Sequence, residues 1–289
     1  MREERGGPGA FDTRIQRAEE LAGVPESAEP IAFLRAVLGH QSARARDVEV
    51  QRAAQAVGSE ALANRLTQRF PLLDLESSTE AISSEIDVAV HALADSEMTP
   101  EPLRASGKDL VARPPDERRE LIQAWLDDPS LVDPRLGLWI RVAAGPILEP
   151  AAASLEPLSR DEWAGRACPV CGDVAQCSGI VEESGAFMQG APRYLICGRC
   201  ASWWAFPRAV CATCGEDDST KQGPFYAEGR PWARIDVCDT CAGYMKTFDL
   251  REKGARDVVP LVDDVGTLSL DIWAHENGLQ RPGLSLAGV

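Results

Sequence analysis

The sequence predicts an α+β chain: an N-terminal all-helical domain, then two tandem four-cysteine metal modules, then a C-terminal helix packed on them. Three observations carry this expectation. All nine cysteines fall between Cys168 and Cys241, and none precedes them. The first ~160 residues place apolar side chains at the three-to-four-residue spacing of helices. Beyond them, short strand-like runs lead directly into cysteines. The expected division is residues 1–160 for the helical domain, 161–210 for the first module, 211–250 for the second, and 251–289 for the C-terminal helix and tail.

Within the helical half, residues 30–57 carry Ile31, Leu34, Val37 and Leu38 at helical spacing, then an Ala-rich continuation to Gly58. Ser78 or Thr79 is placed to cap a helix bearing Ile82, Ile86, Val90 and Leu93, which ends before Pro100. Asp116 starts another, with Leu121, Ile122, Trp125 and Leu126 on one face and Pro129 beyond its end. The most apolar stretch, Leu136 to Leu148, is interrupted by Arg141 and Pro146, and the domain boundary is expected between Gly145 and Arg160. Past it, Arg193 to Ile196 and Trp232 to Val237 read as strands. A helix is expected to begin near Tyr244. Another runs from about Asp263 to Glu276, with Val265, Leu268 and Ile272 at helical spacing and Asn277-Gly278 as its stop.

Composition bounds the function. Acidic residues outnumber basic ones by 45 to 30 over 289 residues, a formal charge of −15. Broad electrostatic binding to DNA, RNA or an anionic membrane needs the opposite sign. The cysteine-bearing part, residues 161–289, is itself acidic, with 18 acidic and 12 basic residues, which disfavours a zinc-ribbon nucleic-acid binder. The N-terminus, Met1-Arg-Glu-Glu-Arg-Gly-Gly-Pro, lacks the apolar core of a secretory signal, and no window approaches the ~18 apolar residues of a membrane span. The pair Arg118-Arg119 lies among acidic residues on a helix and reads as a solvated face. A cytoplasmic location follows as the expectation, with reduced thiols and metal favoured over disulfides.

Eight of the nine cysteines form four Cys-x-x-Cys pairs: Cys168/Cys171, Cys197/Cys200, Cys211/Cys214 and Cys238/Cys241. Each such turn aims two thiolates at one point, and two turns make a tetrahedral four-sulfur site for Zn²⁺ or iron. Gly172 and Gly215 follow the first turn of each half, where glycine permits a positive φ. The halves read as a repeat: Arg193 and Arg234 lie four residues before the third cysteine, Trp203 and Tyr244 three residues after the fourth, and Phe187 and Tyr226 in the intervening hairpins. Sequential pairing is the economical arrangement, Cys168, Cys171, Cys197 and Cys200 at one metal and Cys211, Cys214, Cys238 and Cys241 at the other. An interleaved pairing is the alternative. Closed four-cysteine sites are usually structural, and metal binding supplies folding energy that units this small lack. Cys177 has no partner at this spacing and reads as packed or free.

Other chemistry finds little support. Glycine-rich phosphate loops, Gly-x-Ser-x-Gly and His-Glu-x-x-His are absent. The three histidines, His40, His91 and His275, are widely separated. Asp263-Asp264 suits a helix first turn through the helix dipole. Asp264 and Asp271, seven residues apart, would alternatively share a helix face and form an acidic stripe for an arginine-bearing peptide.

The cysteine region and the segment after it resemble the formate dehydrogenase accessory protein family, FdhE. The matching residues are Cys168-Pro-Val-Cys-Gly, Arg193-Tyr-Leu-Ile-Cys-Gly-Arg-Cys, Trp204 with Arg208, Cys211-Ala-Thr-Cys-Gly and Cys238-Asp-Thr-Cys-Ala-Gly-Tyr-Met-Lys. Downstream, Asp263-Asp264, Leu270-Asp271, Gly278, Arg281 and Gly283 match the family's tail. Ser202-Trp203-Trp204 departs from the family's Thr-Glu-Trp, and Ser285-Leu286 from its terminal Asn-Pro. The resemblance implies a helical domain joined to two rubredoxin-like, or zinc-ribbon, modules. It implies a cytoplasmic, non-enzymatic, chaperone-like maturation factor for respiratory formate dehydrogenase, a molybdenum enzyme exported folded by the twin-arginine pathway. The implied partner is that enzyme's catalytic subunit or its twin-arginine leader, with Asp263, Asp264, Asp271 and Arg281 as client-binding candidates. A rubredoxin-like iron protein that transfers electrons is the alternative reading.

Overall fold

The computed structural model describes residues 8–182, 191–227, 229–252, 254–255 and 257–286. Phe187 and residues 1–7 lie outside them. Among the described residues seven α-helices come first: α1 (Pro8–Leu21), α2 (Ala28–Arg44), α3 (Val48–Leu66), α4 (Thr79–Leu93), α5 (Glu101–Ala112), α6 (Pro115–Asp127) and α7 (Pro134–Ala153). The strands follow: β1 (Ala175–Ile180), β2 (Arg193–Cys197), β3 (Trp203–Phe206), β4 (Gln222–Ala227), β5 (Arg230–Cys238) and β6 (Gly243–Asp249). Two short helices, α8 (Pro260–Gly266) and α9 (Leu268–Glu276), close the described chain. The expected α+β class is what the structure shows. None of the described helices is long and apolar enough to cross a membrane.

Helix α7 is the axis of the helical part, with α2, α3, α4, α5 and α6 packed around it. From Leu136 to Leu148 every residue except Arg141 is buried, which accounts for the apolar run in the sequence. Pro146 and Pro150 lie inside this helix instead of ending it. A proline removes the N–H that would bond to the carbonyl four residues back. For Pro146 that carbonyl belongs to Val142, and Gln41 Nε2 of α2 donates to it at 3.0 Å. Gly145 leaves room for this contact, since a Cβ there would overlap the Gln41 side chain.

The helix expected over residues 30–57 is in fact two. Asp47 starts the second by accepting from Glu49 N at 2.9 Å and Val50 N at 3.4 Å. Helix α3 then passes straight through Gly58. That glycine marks close packing rather than a stop: a Cβ there would lie 2.8 Å from Ser154 Oγ.

The six described strands form one sheet in the order β3-β2-β1-β6-β5-β4. Each half is an antiparallel three-stranded unit. The first strand of one half and the last of the other pair in parallel, Ser178 with Thr247 and Ile180 with Asp249. The two repeats thus stand head to tail in a continuous sheet. Tyr244 lies in β6, not in the helix expected there. Every residue of that strand is buried, so no polar alternation marks it as strand. The helix expected from Asp263 to Glu276 is broken at Thr267 into α8 and α9. Ile272, expected on the apolar face, is 50% exposed.

Candidate metal centres and the polar network beside them

The structure gathers the eight paired cysteines into the two sequential sets. In each set all four sulfurs lie within 4.8 Å of one another. Cys168 Sγ is 3.6 Å from Cys200 Sγ, and Cys171 Sγ is 3.4 Å from Cys197 Sγ. In the second set Cys211 and Cys241 are separated by 3.9 Å, and Cys214 and Cys238 by 3.7 Å. A metal bonded to four thiolates at about 2.3 Å in a tetrahedron spaces its sulfurs by about 3.8 Å, whereas a disulfide needs about 2.0 Å. The donor sets therefore fit two divalent ions with tetrahedral sulfur coordination.

Both centres have the same local backbone. Cys168 N donates to Asp173 O at 2.7 Å and Gly172 N to Cys168 O at 2.9 Å; Cys211 N donates to Glu216 O at 2.8 Å and Gly215 N to Cys211 O at 3.0 Å. These turns close only through positive φ, +80° at Gly172 and +85° at Gly215. The residue after each fourth cysteine is also left-handed, yet it is an alanine: Ala201 at φ 56° and Ala242 at 51°. Nothing in the residue type announces that conformation.

The thiols are poised differently. Burial pushes Cys168, Cys171 and Cys197 upward. In the second centre burial raises Cys238 and Cys241 too; it also acts on Cys211, but the backbone N–H groups of Cys214 and Thr213 together with the Cys214 and Cys238 side chains bring that thiol down to about 7. Four adjacent thiolates are stable in such surroundings when a divalent cation neutralises them. Cys177 is fully buried in β1 and belongs to neither set. Burial pushes its thiol well above the ordinary value, as fits a packed cysteine. His91 and His275 are exposed and His40 is half-buried.

The first centre is part of the main core, where its four cysteines pack in one cluster with helical residues such as Trp125 and Ile147. Leu72 N and Leu73 N donate to Pro169 O and Val170 O, at 3.0 and 2.8 Å. Arg199, inside the second turn, is 2% exposed and lies over the Trp125 ring at 4.7 Å. Its guanidinium donates to Trp125 O and Leu126 O, both at 2.9 Å, at the C-terminal end of α6.

The three acidic client-binding candidates are buried and the fourth, Arg281, is half-buried, so the acids do not form the exposed stripe expected of them. Asp263 and Asp264 are 0% exposed and Asp271 3%, and each already holds a cation of this chain. Arg17 grips Asp263 through Nε and Nη2 at 2.9 and 2.7 Å, and Asp263 in turn accepts from Val259 N at 2.7 Å. Arg281 bridges Asp264 at 2.6 Å and Asp271 at 3.0 Å. Lys246, wholly buried, pairs with Asp264 at 3.4 Å and with Asp271, and Tyr244 Oη donates to Asp271 at 2.7 Å. The break at Thr267 turns both carboxylates inward. Two members of this network were not singled out as site residues: in the sequence Arg141 stands as a lone charge in an apolar run, and Lys246 only as the last residue of the Cys238 signature. Arg141 links this network to the first centre, donating to Gln176 Oε1, Gly198 O at 2.8 Å and Leu284 O at 2.7 Å, while Gln176 Nε2 donates to Asp264 at 2.6 Å.

Residues 210–287, which contain the second centre and this network's tail, match the family model described as FdhE, C-terminal domain. Over that segment the chain is similar to the C-terminal domain of FdhE proteins. The resemblance seen in the cysteine signatures therefore holds. An FdhE homolog of Aquifex aeolicus is 32% identical over 160 residues, 55% of this chain and 53% of that protein. One from Shewanella oneidensis is 38% identical over 111 residues, 38% of this chain and 34% of its own. These matches span only a third to a half of the curated FdhE relatives' length. The crystal structure of the FdhE protein from Pseudomonas aeruginosa superposes with a TM-score of 0.71 at 22% identity, covering 98% of this chain and 97% of that one. At that identity the likeness shows a common fold.

Proposed function

We propose that this protein is an accessory factor that binds the catalytic subunit of a respiratory formate dehydrogenase during its maturation in the cytoplasm, without itself catalysing a reaction. The observation that carries the reading is the FdhE C-terminal domain at residues 210–287, set in a fold shared with an FdhE protein from end to end. The charge of −15 favours a basic client segment, such as a twin-arginine leader. In this reading Cys168, Cys171, Cys197 and Cys200 hold one metal ion, Zn²⁺ or iron, and Cys211, Cys214, Cys238 and Cys241 a second. Each ion supplies four bonds that fix its turns and, with them, the strands leading into the cysteines. With Asp263, Asp264 and Asp271 buried, the client contact falls to other parts of the surface.

The test is co-purification of the tagged, full-length protein with the formate dehydrogenase catalytic subunit from a cytoplasmic fraction, paired with formate dehydrogenase activity in a deletion strain. Capture of the subunit together with loss of activity supports the reading. Absence of binding with normal activity overturns it. Elemental analysis is expected to give two metal ions per chain and near-unit loss from separate Cys168→Ser and Cys211→Ser variants. A red, iron-loaded protein with a reversible one-electron couple would instead favour electron transfer.

A further inference from the structure

The two cysteine centres share a backbone but not a setting. Between the cysteines of the first centre, Pro169, Val170 and Arg199 are buried, and Gly198 is half-buried; Ala201, just after the last cysteine, is buried too. At the matching places of the second centre, Thr213, Asp239, Thr240 and Ala242 are exposed, and Ala212 is half-buried. The ligands follow suit. All four cysteines of the first centre are 1% exposed or less, whereas Cys214 is exposed and Cys241 half-buried. The cause is tertiary. The segment around Leu72 and the end of α6 cover the first centre through the hydrogen bonds to Pro169, Val170 and Arg199. Over the second, the corresponding hold is Arg166, which donates to Thr213 O from an exposed position.

We propose that the second centre is an exchange site for a soft divalent metal, open to competing thiol or nitrogen ligands, while the first is a closed staple between the helices and the sheet. Exchange proceeds by ligand substitution without any redox change. Cys214, the exposed ligand, would be the one replaced first: a thiol or nitrogen donor arriving from that side would take its place, one bond gained for each cysteine bond lost. Further substitutions carry the ion to the competitor. At the first centre no incoming donor reaches the thiolates until the segment around Leu72 or the end of α6 opens locally, so release waits on that opening.

This inference rests on the reading that both centres bind metal, and the experiment separates the two. The full chain is loaded with Zn²⁺, its metal content measured, and zinc release followed with a chromophoric chelator. Two ions per chain are expected, one released at least about tenfold faster than the other, since the slow site must first open. N-ethylmaleimide added after the fast phase is expected to label cysteines of residues 211–241 and to spare those of 168–200, with tryptophan fluorescence near the first centre unchanged. Cys214→Ser is expected to remove the fast phase alone. Fewer than two ions per chain overturns the shared premise. Two ions leaving in one phase, or labelling that begins at Cys168 to Cys200, overturns the asymmetry and leaves metal binding standing.

Discussion

Arg199→Met tests the idea that the first metal centre holds the helical part to the sheet. The wild-type guanidinium donates to the carbonyls of Trp125 and Leu126 at 2.9 Å, approaches Asp173 at 3.3 Å, and sits 4.7 Å over the Trp125 ring. Methionine keeps most of the stem and leaves little cavity, so the loss isolates the charged head. Hydrogen bonds from a buried charge are worth about 1.5–3 kcal/mol each. Removing one partner of a buried pair costs about 3–5 kcal/mol, and the 13% exposure of the Asp173 side chain sets the expectation near the lower end, about 3 kcal/mol. Urea denaturation of the metal-loaded protein, followed by far-ultraviolet circular dichroism, measures it. The second centre's metal is expected to stay bound. A loss below about 1 kcal/mol would refute the reasoning, because the bonds to α6 would then be replaceable by water.

Three further outcomes are expected. Gln41→Leu leaves the Val142 carbonyl beneath Pro146 with no donor in the core, and should cost about 1–3 kcal/mol by the same denaturation assay. Gly39→Ala in α2, where a Cβ meets nothing within 4 Å, should stabilise by about 1 kcal/mol; Gly107→Ala in α5, whose Cβ would lie 2.8 Å from the Trp139 indole, should destabilise because overpacking of about 1–3 kcal/mol opposes that gain. The hydrogen bond from Arg135 holds the Asp133 carboxyl, the N-cap of α7, at about 2. A depressed carboxylate adds stability that is full above its unfolded value and is lost as pH falls toward about 2. Asp133→Asn should therefore flatten the acid limb of a thermal-melting pH profile between about 4 and 2, and an unchanged limb would rule this carboxylate out as a source.

The cysteine pairs were legible because Cys-x-x-Cys geometry is local: four consecutive residues fix where two sulfurs point, and Gly172 and Gly215 close the first turn of each site whatever surrounds them. Helices α4 and α6 were legible for a similar reason, their apolar spacing being a property of a few consecutive turns. Strand β6 was not, because burial on both faces erases the alternation that marks a strand. Asp264 and Asp271 show the limit most plainly. Their spacing and charge describe an acidic stripe equally well as an internal ion cluster, and only the turn at Thr267, which brings Arg281 and Lys246 within reach, decides between them. Likewise the sequence alone determined two near-identical four-cysteine sites, while the tertiary structure alone buried one and left the other facing water. Ligand spacing is written along the chain, but solvent access depends on what the rest of the chain lays over it.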